Sequence, residues 1–381
     1  LLKVQHDTDA TKAVTLNGTT GLGITQKATG KPVLFNARRY MGKGSSGRDI
    51  TGYGFSPDLV WAKDRDTSGD HHNIVDSVRG TAGGRLNSNR DVAQGATTSF
   101  GGMLSDGFRT GSAAGYFDSD NKAFIAWGWK AGGAPTTDQA SQVRTPTLGA
   151  LIKDGSFVTT TNYWPTSTIY PKRQSVNTTG GFSITQYVGN GLDSRTLPHG
   201  LGSAPHWVAI KNLDNSANWS GWHTGLSSNC VIKFNSSAGE DNTADNVAPS
   251  GDHLITLGTG NSTINSNGVN YIMYAWKAVS GVSAFGFHSG QISSVSGTTV
   301  GQGGYCGFQP RFVMIKRKDG TASWAMFDSL RGGTKYIETE SANPEGTGSS
   351  IEVTFQSNGF TTGNHNMVGA SSQNYISMAF A

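Results

Sequence analysis

The residues able to do chemistry in this sequence begin with Gly42-Lys43-Gly44-Ser45-Ser46-Gly47, which meets the glycine spacing of a dinucleotide-binding loop. That chemistry needs a strand before the loop and a helix after it, whose N-terminus receives the pyrophosphate. Here the glycines lead into Arg48-Asp49-Ile50-Thr51 and another glycine turn, so the run reads as a turn. Asp70-His71-His72 could be a metal fragment, but neighbours on a strand point to opposite faces and no further ligand stands at metal spacing. Asp76 with Arg79, and Asp328 with Arg331, stand three apart and need a turn to meet. One reading is an Asp-capped turn closed by an Arg–carboxylate contact. The other is a sugar or carboxylate contact on an exposed loop, which makes Arg79 and Arg331 candidate ligand residues.

Glycan hydrolysis requires two carboxylates held at a set separation across the bond. Asp58, Asp76, Asp106, Glu338, Glu345 and Glu352 are available, and nothing in the sequence pairs them. No nucleophile elbow, Cys–His pair or phosphate loop is present. The expectation is therefore no catalytic residues, no metal, no cofactor and no enzyme. Tryptophans are the other candidates, since outward rings on strands stack on sugars. Trp129 and Trp276 recur at matched places and are expected in the core. Trp164, with Tyr170 nearby in an unrepeated stretch, is the better surface candidate.

The elements that hold these residues follow from an internal repeat. Three blocks begin with proline and carry lysine six positions later: Pro57–Lys63, Pro205–Lys211 and Pro310–Lys316. A second block closes each unit: Phe124–Lys130, Tyr271–Lys277 and Tyr375–Phe380. From the leading proline to the late aromatic (Trp129, Trp276, Phe380) the spacings are 72, 71 and 70. An aromatic and glycine turn opens each unit at Tyr40, Tyr187 and Phe287, and Asp106-Gly107 and Asn358-Gly359 are hairpin-turn pairs. The second copy reads Trp222-His223-Thr224-Gly225 where the others have Asp-Ser-x-Arg-Gly, and it lacks the arginine.

The blocks are short, rich in β-branched and aromatic residues and bounded by glycine or polar residues, and no stretch has helical periodicity. The expected fold is all-β: three tandem antiparallel β-sandwich modules, jelly-roll-like, each closing its own interior. The segments are 1–34, an N-terminal tether or attachment segment; 35–133, the first module; 134–181, a linker or an elaboration packed on a neighbour; 182–279, the second; and 280–381, the third. Gly at 53 of 381 residues supplies the many turns this demands. A net charge of +4 without long basic runs argues against nucleic acid. Cys230 and Cys306 occupy non-matching places and read as free. No apolar run is long enough to span a membrane and no secretory signal is visible; the chain begins with Leu rather than Met, which leaves open whether its start is processed.

At these residues the chain resembles a repeat domain of virion and tail-fibre-like proteins of marine and cyanobacterial phages. The matching words are Tyr40…Gly42-x-Gly44, Gly54-Phe55-Ser56-Pro57-Asp58-Leu59-Val60-Trp61-x-Lys63-x-Arg65, Asp76-Ser77-Val78-Arg79-Gly80, Ser105-Asp106-Gly107-Phe108 and Ala126-Trp127-x-Trp129-Lys130-Ala131-Gly132-Gly133. The resemblance runs from about Phe35 to Ala381, and the second copy departs from it with Gly202-Ser203-Ala204-Pro205. It implies a virion structural protein, a tail fibre or other host-contacting appendage, located on the particle and extracellular after release. Implied partners are other virion proteins, a host surface glycan or protein, and further copies of the chain in an oligomer such as a trimer. It supplies no catalytic residues. The rivals are a capsid-decorating protein, a glycan depolymerase and a secreted carbohydrate-binding protein.

Overall fold

The computed structural model describes residues 33–45, 47–112, 115–243, 246–290, 304–348 and 350–381, and the backbone of one hairpin, Val14–Asn17 with Gly23–Gln26. That hairpin pairs antiparallel, Val14 opposite Gln26. The rest of the expected tether or attachment segment lies outside the described residues. From Leu34 to Ala381 the chain forms one compact unit.

Strand alternation explains the unit. In the Pro-led block of the first copy, Leu59, Trp61 and Lys63 point to one side and Val60, Ala62 and Asp64 to the other, and all six are buried. A strand buried on both faces needs partners in its sheet and a layer on each side. All three copies meet this demand alike. The first sheet runs Phe35–Met41, Ala123–Trp129, Leu59–Asp64, Asn73–Asp76. The second has Phe182–Val188, Asn270–Trp276, Trp207–Asn212, Ser220–His223 in the same order. The third has Ser283–Ser289, Asn374–Phe380, Phe312–Arg317, Ala325–Asp328. Every neighbour among these is antiparallel, and Trp129, Trp276 and Phe380 stand opposite Leu59, Trp207 and Phe312.

On one face each sheet meets a smaller antiparallel sheet of its own copy. In the first, Asp49–Thr51, Gly107–Thr110 and Phe100–Leu104 close Ile50, Phe100, Phe108 and Phe117 over Val60, Ala62 and Ala126. Asp106 accepts the amide of Gly52 at 2.9 Å and that of Gly54 at 2.5 Å, which fixes the turn before Gly107. In the second copy Arg195–Pro198, Leu254–Leu257 and Val247–Ser250 form the layer, and in the third the hairpin Val353–Gln356 with Gly359–Thr362.

The other faces meet one another. Leu59, Trp61, Trp127 and Trp129 of the first copy, Trp207, Phe234 and Trp276 of the second, and Phe312, Trp324 and Phe380 of the third lie in a single apolar interior. Trp129 approaches Trp276 at 6.4 Å and Phe380 at 5.6 Å between ring centroids, and Trp207 approaches Trp324 at 5.9 Å. The expectation that each copy closes only its own interior is thus corrected. Each has a private core, and all three share a fourth. The reason lies in the pattern: a strand with large apolar residues on both faces cannot be satisfied by one two-layer sandwich.

The stretch 134–181 is an elaboration. Arg173–Asn177 pairs antiparallel with Phe182–Val188, Leu151–Lys153 runs parallel to it, and Ser156–Phe157 follows, extending the second sheet to seven strands.

Candidate functional site

The residues singled out for surface contact are all buried: Trp164 at 1% exposure, Arg79 at 6%, Arg331 at 7% and Tyr170 at 8%. They are corrected to interior residues. Trp164 packs on Tyr170 and donates its indole N–H to Gln174 Oε1 at 3.0 Å, inside the private core of the second copy. The added strands there create an interior of their own.

Arg79 and Arg331 each close a turn. Asp76 Oδ1 accepts the amides of Val78 and Arg79, and its Oδ2 meets Arg79 Nε at 2.6 Å. Arg79 also donates to the carbonyls of Gly83 and Ile74. Burial disfavours the guanidinium charge, yet Asp76 and Tyr274 hold Arg79 above its ordinary value. Asp328 and Arg331 repeat this at 2.5 Å, and Arg331 adds Glu345 at 3.3 Å and the face of Trp127 at 5.5 Å. With each guanidinium nitrogen bonded inside and the side chains buried, neither arginine is presented to a ligand.

These corners join neighbouring copies. Tyr274 of the second copy donates to Asp76 Oδ2 of the first at 2.7 Å, and Trp127 of the first donates to Asp328 Oδ2 of the third at 3.1 Å. In the second copy His223 occupies the aspartate position, opposite Trp207 as Asp76 is opposite Leu59. Its Nε2 donates to the carbonyl of Ser377 in the third copy at 3.2 Å. Burial lowers the His223 pKa to about 3, so the ring is neutral there.

A second set of contacts runs around the same cycle. Trp219 Nε1 donates to Asn87 O, Trp324 Nε1 to Lys233 O and His72 Nε2 to Glu338 O, at 2.8, 3.1 and 2.8 Å. Amides follow the same rule: Ala217 to Asp91 O, Ala322 to Ser237 O and Gly69 to Ala342 O. Their return bonds are Gln94 to Leu213 O, Glu240 to Lys318 O and Glu345 to Arg65 O. The second copy therefore grips the first, the third grips the second and the first grips the third, closing a pseudo-threefold ring within one chain.

The three motif lysines sit beside these contacts. Lys63, Lys211 and Lys316 are buried, and each ammonium donates to main-chain carbonyls, Lys211 to Asp91 O of the first copy and Lys316 to Ser237 O of the second. Burial lowers all three, to about 8 for Lys211 and Lys316. The shared interior also leaves an apolar space of about 30 Å³, lined by Leu59 and Trp61, Trp207 and Phe234, and Phe312 and Met378.

The remaining candidates resolve into structure. In the glycine run, the amides of Gly42, Gly44 and Gly47 donate to Lys122 O, Asp118 O and Gly111 O, and a strand follows instead of a helix. His72 accepts from Trp61 Nε1 at 2.9 Å while His71 turns to Asn89, so the two imidazoles diverge. Among the described residues no three His, Cys, Asp or Glu converge as metal ligands. Asp58 accepts from Ala131 N and Lys130, and Glu338 from Asn343. No helix among the described residues is long and apolar enough to cross a membrane.

A family model described as a domain of unknown function (DUF7483) matches residues 32–155 and again 153–381. The chain belongs to this family. The two DUF7483 matches overlap at residues 153–155, beginning at the last residue of the strand Leu151–Lys153 in the second sheet. No curated protein and no solved structure matches the chain.

Sequence reading of this DUF7483 chain missed the ring itself and the burial of the lysines. The signal for both was the lysine standing six after each proline, on the same strand face as the interior aromatics.

Proposed function

We propose that this chain is a structural, adhesive component of a phage particle, most simply a tail fibre or other host-contacting appendage. The observation that carries the reading is the closed ring: the buried side chains of Tyr274, Trp127, His223, Trp219, Trp324 and His72 are consumed in joining the three copies, which leaves the outer loops to meet a partner. A rigid pseudo-threefold body presents three related sets of loops, a form suited to many weak contacts acting together. Exposed rings on those loops include Tyr116, with the Arg85 guanidinium 3.6 Å from its centroid, and Tyr305. The likeness of Gly54–Arg65 and Ala126–Gly133 to phage virion words supports the same assignment. The ring also supplies threefold form within one chain, so further copies are not needed to obtain it.

Antibody–gold labelling of intact particles tests the proposal. Label on the tail or its appendages is expected. Label on heads alone would support a decorating role, and particles free of label would remove the chain from the virion altogether.

A further inference from the structure

We infer that the free edge of the strand Ser283–Ser289 docks a second copy of this chain, the two edges pairing antiparallel about a twofold axis. The inference is independent of the functional reading above. Within the third sheet, Ala381 N–H donates to Val282 O and Gly290 N–H to Gln373 O, so even-numbered residues of the strand face Asn374–Phe380 and odd-numbered residues face outward. Ser283 closes its outward groups on Val279. The outward amides and carbonyls of Phe285, Phe287 and Ser289 have no partner among the described residues.

The other two copies show how this edge is otherwise treated. In the second, the equivalent strand Phe182–Val188 is covered by Arg173–Asn177, with Ser175 opposite Ile184 and Arg173 opposite Gln186. In the first, Asn36 Oδ1 accepts the outward amide of Ala37, Arg38 donates to Ala37 O, Arg48 donates to Met41 O, and the charged Arg39 stands where the third copy has Phe287. Covering strands, side-chain caps and charges are the ordinary defences of a sheet edge. Among the described residues the third edge has none beyond the Val279–Ser283 bonds at its start. Its sequence, Ser-Ala-Phe-Gly-Phe-His-Ser, carries no Lys, Arg, Asp or Glu, burial lowers the pKa of its His288, and Phe287 is 60% exposed.

A second copy suits this edge in a way a charged or irregular partner does not. With Phe287 opposite Phe287 of the second copy, Phe285 falls opposite Ser289 and Ser289 opposite Phe285. Every outward residue then meets an outward residue, as a hydrogen-bonded antiparallel register requires. The two exposed rings meet at the axis, with no like charges brought together.

Sedimentation of the 381-residue chain over a range of micromolar concentrations reads this directly, alongside Phe287→Lys and Phe285→Pro. The proline removes an outward N–H and leaves the bonds to Asn374–Phe380 in place. The wild type is expected to dimerise, and each variant to weaken the dimer at least ~10-fold; Phe287→Lys should keep the wild-type melting temperature, whereas Phe285→Pro also removes a ring packed against Phe380 and should lower it. Phe287→Cys, in a Cys306→Ser background, is expected to crosslink as a dimer on mild oxidation, since directly opposed positions bring Cα atoms within disulfide reach. A wild type that stays monomeric, a dimer indifferent to both edge variants, or amides of Phe285 and Phe287 protected from exchange in the monomer would each overturn the inference.

Discussion

The corner of the first copy and the corner of the second occupy the same place in the ring and use opposite chemistry. In the first, Asp76 and Arg79 form a buried ion pair at 2.6 Å, and Tyr274 donates to the carboxylate from the next copy. In the second, a neutral His223 replaces the aspartate and Leu226, packed against the shared interior, replaces the arginine. A buried ion pair gives up hydration that its mutual attraction only partly restores, so an apolar pair of similar volume is a workable substitute. What all three corners keep is the hydrogen bond across to a neighbouring copy. The comparison teaches that the ring depends on satisfied polar atoms between copies more than on charge at any one of them.

Acid should separate the two kinds of corner most strongly. Burial holds His223 and His72 at about 3, against an ordinary value of 6.5. Each binds its proton in the unfolded chain first, so stability present above pH 6.5 is lost as pH falls toward 3, by on the order of 5 kcal/mol per imidazole. Both bond to carbonyls of the third copy, whereas the contact between the first and second copies uses Trp219 and Tyr274. Burial holds His199 inside the second copy at about 3 as well, so hydrogen exchange at falling pH should show the contacts of residues 304–381 and the surroundings of His199 loosening before the contact between the first and second copies, and uniform loosening would break the comparison.

Cutting the ion pair comes next. Arg79→Leu alone leaves Asp76 buried without its counter-ion and should cost about 3–5 kcal/mol in urea unfolding. Adding Asp76→His rebuilds the corner of the second copy and should return most of that loss. A double variant as unstable as the single would mean that the second corner works for reasons peculiar to its surroundings.

Alkali probes the lysines, which the three copies share. Lys211 and Lys316 lie at about 8 in the folded chain against 10.5 when free. The unfolded chain binds more protons between those values, so stability should rise with pH from about 8, by on the order of 3 kcal/mol for each lysine if the whole interval were available. Above about pH 10 the buried Tyr40, Tyr187 and Tyr274, raised chiefly by burial, work in the opposite sense and end the rise. Lys211→Met should flatten the profile. The smallest effect is expected outside the ring: Arg109→Ala breaks an exposed pair with Asp49 and should leave the melting temperature unchanged.

Much of the fold was legible because its signals are local. Proline-led strands, Asp-Gly and Asn-Gly turns and the 72, 71 and 70 spacings marked three copies and their closing strands. The shared interior was less legible. A strand such as Leu59–Asp64 reads as apolar throughout, and sequence alone does not say whether its second layer comes from its own copy or another. The site residues failed for a related reason. Trp164 looked exposed because its segment is unrepeated, but the strands around it form a core absent from the other copies. Arg79 and Arg331 were correctly paired with their aspartates as turn closures, while the tyrosine and tryptophan that seal those corners come from about 200 residues away, at separations of 198 and 201.

Three copies share one interior, and calorimetric unfolding addresses that most directly. If the ring is a single body, the described unit melts in one transition whose calorimetric and van't Hoff enthalpies agree. Two or three resolved transitions, each sized for one copy, would show that the copies stand alone and would contradict the account.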